Sequence, residues 1–61
     1  MRPEVKLIGE DGNAFAVLGK CSKAWREAGL PKEEWEKIRT EMMAGDYDHL
    51  LGTAMNHFDV I

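Results

Sequence analysis

Three apolar stripes at helical spacing run through a chain of 61 residues, and two short β-type runs bracket them. A core this small needs almost every large apolar side chain to close it, so few residues are left over for chemistry. The length allows one domain, near the lower limit of what folds unaided. Such a core rarely contributes more than ~3–5 kcal/mol. The single cysteine, Cys21, cannot form an internal disulfide and points either to a reducing compartment or to a chain that makes no use of redox chemistry. Trp25 and Trp35 supply large rings instead, and both are expected to be shielded from solvent. Self-association would add further burial, so a homodimer is one expected assembly.

The first stripe is Ala14, Val17, Leu18, Cys21, Ala24, Trp25 and Ala28, recurring at three and four residues. It predicts a helix from about residue 13 to residue 28. Asp11 or Asn13 can cap its start. Gly29 suits the left-handed position after its last turn, with Leu30 folding back on Trp25. Pro31 suits the first position of a second helix, and Glu33 and Glu34 lie on the correct side of its dipole. Its stripe is Pro31, Trp35, Ile38 and Met42, with surface pairs expected at Glu33–Lys37 and Glu36–Arg39. Met42 and Met43 are adjacent in that helix, so they cannot both point fully inward. Asp46 caps a third helix, whose stripe is Tyr47, Leu50, Leu51, Ala54, Met55 and Phe58.

Val5-Lys6-Leu7-Ile8 and Phe58-Asp59-Val60-Ile61 both alternate and are rich in β-branched residues. They are expected to pair, with Val5 and Leu7 on the same side as Phe58 and Val60, and an antiparallel arrangement is favoured. The residues 9–13 between the first run and the first helix read as a turn. The predicted fold class is α+β, mainly α. It is a compact three-helix domain with a short two-stranded ribbon formed by the chain ends, β-α-α-α-β, one small domain over residues 1–61.

Two strings, VKLIGEDGNAF from Val5 to Phe15 and GDYDHLL from Gly45 to Leu51, resemble a group of small proteins of bacterial genomes, phages and plasmids. No activity is assigned to that group. The resemblance covers most of the chain and implies a bacterial or mobile-element cytosolic protein. It carries over no catalytic or binding residue.

Eleven acidic residues stand against eight basic ones, for a net charge of −3. This balance gives no general attraction to DNA, RNA or anionic lipid. The amino end lacks the apolar run of a signal peptide, and no window approaches the ~18 apolar residues of a membrane span. A cytosolic location with no membrane contact is the expectation.

Each candidate for chemistry has a simpler explanation. Asp46, Asp48 and His49 could hold a cation, but Asp46 serves as a helix cap and Asp48 as a first-turn acid. His57 lies two turns from His49, roughly 12 Å along the axis, too far to share one small ion. Cys21 falls among Val17, Leu18, Ala24 and Trp25 and reads as a small core hydrophobe. Glu10 and Asp11 sit on a turn with no cleft to shift either pKa. No catalytic, metal or cofactor-binding residue is assigned.

Lys20, Lys23 and Arg26 form a basic edge on the first helix, the candidate contact for a partner or a nucleic acid. Residues 21–38 also fit the spacing of a helix-turn-helix. Against that, Trp25 falls where a small residue is usual, and the second helix opens Lys32-Glu33-Glu34, which phosphates repel. The sequence therefore predicts a non-enzymatic protein-interaction module with a protein partner of unspecified identity. Its candidate surface is the mixed-charge face of the first two helices with any spare aromatic area on Trp35 or Tyr47. The alternative is a helix-turn-helix-like nucleic-acid binder using the basic edge.

Overall fold

The computed structural model describes residues 2–7 and 13–61. In chain order the elements are β1 (Glu4–Val5), α1 (Ala14–Glu27), α2 (Lys32–Met42), α3 (Tyr47–His57) and β2 (Asp59–Val60). The domain is three helices flanked by two terminal strands that form a small parallel sheet. Its radius of gyration is 10.4 Å, matching the roughly 10.5 Å expected of a compact chain of this length.

Local chemistry explains the helix boundaries. The Asn13 side chain accepts from the N–H groups of Phe15 and Ala16 at 3.0 and 3.2 Å, so Asn13 is the cap of α1. At the other end Leu30 N–H reaches the Trp25 carbonyl and Gly29 N–H reaches that of Arg26. This 6→1 and 5→2 pair is a Schellman stop, and Gly29 supplies its left-handed residue at φ 73°. Asp46 caps α3, accepting from His49 N–H at 2.9 Å.

Pro31 sits one residue earlier than the sequence suggested. Its φ of −62° and ψ of 134° make it the extended N-cap of α2, and Lys32 opens the helix. Proline's fixed φ suits either position, and here its carbonyl receives the first helical N–H, from Trp35, at 3.3 Å. Pro31 is therefore exposed and not part of the buried stripe.

The sheet corrects a second expectation. β1 and β2 run parallel, pairing Glu4 with Asp59 and Val5 with Val60. Three intervening helices give four connections, and when each turns the chain back the last strand runs in the sense of the first. The ladder extends past the strands through Asp59 N–H to Pro3 O, Ile61 N–H to Val5 O and Leu7 N–H to Ile61 O, all 2.9–3.0 Å. The predicted β-run continued to Ile8 and the predicted turn followed it. Ile8 and residues 9–12 lie outside the described residues.

Packing centres on Phe58, which is 1% exposed. Its ring meets Trp25 edge-on at 5.8 Å and Trp35 at 6.2 Å. Such aromatic pairs add ~0.5–1.5 kcal/mol each beyond area burial. Val5, Val17, Cys21, Ile38, Met42, Leu50 and Ala54 complete the core beneath the ribbon. Val5 and Leu7 are buried with Phe58, while Val60 packs against them half-buried, so the expected common side is observed. Met42 faces inward and Met43 outward. On α3 the stripe is rotated from expectation. Met55 is exposed, and Thr53 is buried instead, its hydroxyl donating to the His49 carbonyl at 2.9 Å. That local bond satisfies the hydroxyl and makes its burial cheap.

Arg2 ties the amino end to the rest. Its guanidinium donates to the Met55 and Asn56 carbonyls at 3.2 Å and pairs with Asp59 at 3.4 Å. A cation on the last carbonyls of α3 complements the helix dipole. The expected surface pairs on α2 do not form, since between described residues the ion pair is that of Arg2 with Asp59. Exposed pairs of this kind gain too little to hold two long side chains together. No helix among the described residues is long and apolar enough to cross a membrane.

Candidate functional site

The Schellman stop and the Pro31 cap bring α1 and α2 together at a tight corner. Trp25 sits in that corner. Its indole N–H donates to the Pro31 carbonyl at 2.8 Å, which fixes the ring across the gap between the helices. Trp35 is buried, but Trp25 is only half-buried, so the expectation that both rings are shielded holds for Trp35 alone. One edge of the Trp25 ring packs on Phe58.

The solvent side of Trp25 opens into a cleft of about 360 Å³ between α1 and α2. Trp25, Leu30 and Trp35 give it an apolar lining, and Ser22 leaves room on the α1 side. Arg26 from α1 and Lys32 and Glu36 from α2 contribute charge. Neither Arg26 nor Lys32 has an acidic partner among the described residues. Beside Lys32, the N-terminus of α2 has no side-chain cap, because Pro31 offers none.

The three predicted contact residues do not share one surface. Lys20 and Lys23 lie over β1, in a shallow groove with Glu4, Lys6 and Glu27, and the Lys20 ammonium donates to the Lys6 carbonyl at 3.2 Å. Arg26 belongs to the α1–α2 cleft. Helical geometry separates them, because each step of three residues turns the side chain ~60° around the axis.

At the opposite end of α1 the Phe15 ring is 82% exposed. It shares a groove of about 320 Å³ with Leu18, Met42, Met43, Tyr47 and Leu50. Phe15 falls outside the apolar stripe of α1, and its aromatic character on a polar face was the signal available in the sequence.

Of the remaining polar candidates, Asp46 and His49 have structural partners. His49 reaches back from α3 to donate its Nε2–H to the Glu41 carbonyl of α2 at 2.9 Å. Gly45 makes this possible, since a side chain there would come within 2.9 Å of the His49 side chain. Among the described residues no three His, Cys, Asp or Glu side chains converge on a point. Cys21 is fully buried, and desolvation pushes its thiol from the ordinary 9.0 up to about 11. It is protonated at neutral pH and has no thiolate to offer. Compared with known proteins, the chain matches no family model, no curated protein and no solved structure.

Proposed function

We propose that this chain is a non-enzymatic protein-interaction module that engages its partner at the α1–α2 cleft. The observation that carries the reading is Trp25, a tryptophan held by its own N–H bond and packed on the core yet partly open to solvent. Tryptophans and arginines dominate binding hot spots when they sit in concave, dehydratable surroundings, and Arg26 stands beside this one. A preset ring loses little freedom on binding. The resemblance to small bacterial, phage and plasmid proteins implies a cytosolic setting for that contact.

The experiment is photo-crosslinking in the native cell. A photoreactive residue at Glu36, on the rim of the cleft, should capture a distinct protein that the same residue at Asp48 does not. Ser22→Arg, which fills the cleft, should abolish the capture while the melting temperature holds. Equal capture from both positions, or none from either, overturns the reading.

A further inference from the structure

The rim of the α1–α2 cleft narrows the class of partner. Trp25 and Trp35 come from different helices, and Leu30 comes from the turn between them. Arg26 and Lys32 also come one from each helix. Between described residues neither is paired, so no internal bond has to break before either meets a ligand. Glu36 is the acid among the lining residues. Two cations to one acid is the reverse of the whole chain, whose net charge is −3. A basic segment would face Arg26 and Lys32 and gain only Glu36. An acidic segment finds two open charges, and complementarity of this kind sets specificity and association rate.

Size and neighbouring charge sharpen the choice. The volume of about 360 Å³ is at the small end of the ~300–1,000 Å³ typical of ligand clefts. It has room for one large side chain with its backbone, not for a helix or a folded element. A nucleic-acid strand would also bring anions and flat rings. However, its evenly charged backbone would run on past Lys32 into Glu33 and Glu34 at the start of α2. A peptide can place its carboxylates only where they are needed.

We infer that the cleft receives an acidic peptide segment of a partner protein, anchored by one aromatic or leucine side chain. The anchor sits against Trp25, Leu30 and Trp35, and Asp or Glu residues beside it meet Arg26 and Lys32. This inference rests on the protein-interaction reading and specifies its partner.

A random peptide library panned on the intact chain tests it. The enriched sequences should carry Phe, Trp or Leu flanked by Asp or Glu. The best of them, synthesised, should change the tryptophan emission and bind more weakly as salt rises. The double variant Arg26→Glu with Lys32→Glu should lose roughly tenfold or more in affinity. The charge-conserving pair Arg26→Lys with Lys32→Arg should keep most of it, and circular dichroism should report both variants folded. Neutral or basic peptides that Ser22→Arg blocks would overturn the acidic-partner inference and leave the interaction reading standing. Acidic peptides indifferent to both Ser22→Arg and the charge reversal would overturn the two together. Failure to enrich any sequence, or an oligothymidylate that moves the tryptophan emission more than the peptides do, would overturn the inference.

Discussion

The indole N–H of Trp25 and the backbone N–H of Trp35 both donate to one oxygen, the carbonyl of Pro31, at 2.8 and 3.3 Å. One acceptor thus closes the corner between α1 and α2 and starts α2. It also fixes the separation of the two tryptophans that line the cleft.

Trp25→Phe removes only the indole donor from that pair. It should cost about 1 kcal/mol, the net value of one hydrogen bond, with a little more from lost ring area. Urea denaturation should show a lower midpoint with an unchanged slope. An unchanged midpoint would mean that the bond is not maintained in solution.

The glycines should respond in opposite directions. At Gly19 and Gly52 an added methyl meets nothing within 4 Å, and both lie inside helices. Alanine at either should stabilise by ~0.5–1 kcal/mol. Gly29 also has open space, but its φ is 73°, so Gly29→Ala should destabilise by about 1 kcal/mol. For a domain of this size ~1 kcal/mol moves the melting temperature by ~4–8 °C. Calorimetry on the three variants can therefore resolve both signs.

Cys21 makes stability depend on pH at the alkaline end. Its folded-state pKa is raised, from 9.0 to about 11. Between those values the unfolded chain has released the thiol proton and the folded chain still holds it. Stability should therefore fall as pH rises from about 9 towards 11. Cys21→Ala should remove that part of the slope at a cost of roughly 1–2 kcal/mol for the cavity. Iodoacetamide at neutral pH should modify the native protein slowly and the unfolded one fast. Rapid labelling of the native protein would contradict the burial.

Phe15 should tolerate replacement. Its ring is 82% exposed, and the first turn of α1 contains no acid. Phe15→Glu should change stability by no more than a few tenths of a kcal/mol, in the favourable direction, because a first-turn carboxylate suits the dipole. A loss above about 1 kcal/mol would show that the ring is packed in solution.

The helices were legible because their ends are written in local chemistry. Asn13, Gly29 and Asp46 act within a few residues of themselves, so a sequence shows what they do. The inward and outward split of Met42 and Met43 follows from helical geometry alone. The direction of β2 was not legible, because it depends on how three helices cross. The rotation of α3 that buries Thr53 and exposes Met55 is set by neighbours distant in sequence. The cleft was half visible. Its face and Arg26 could be named, and the ~60° turn per three residues already carries Lys20 and Lys23 away from Arg26. What they lie over emerged only once β1 was placed beside α1.

The parallel ribbon has a mechanical consequence. Tension applied at residue 2 and at residue 61 pulls β1 and β2 lengthwise past one another. The β1–β2 pairing and the flanking bonds Asp59–Pro3, Ile61–Val5 and Leu7–Ile61 are then loaded together instead of being opened in turn like a zipper. A domain held by so short a seam resists stretching better than its size suggests, and when the seam yields, the helices lose the clamp across the chain ends at the same moment.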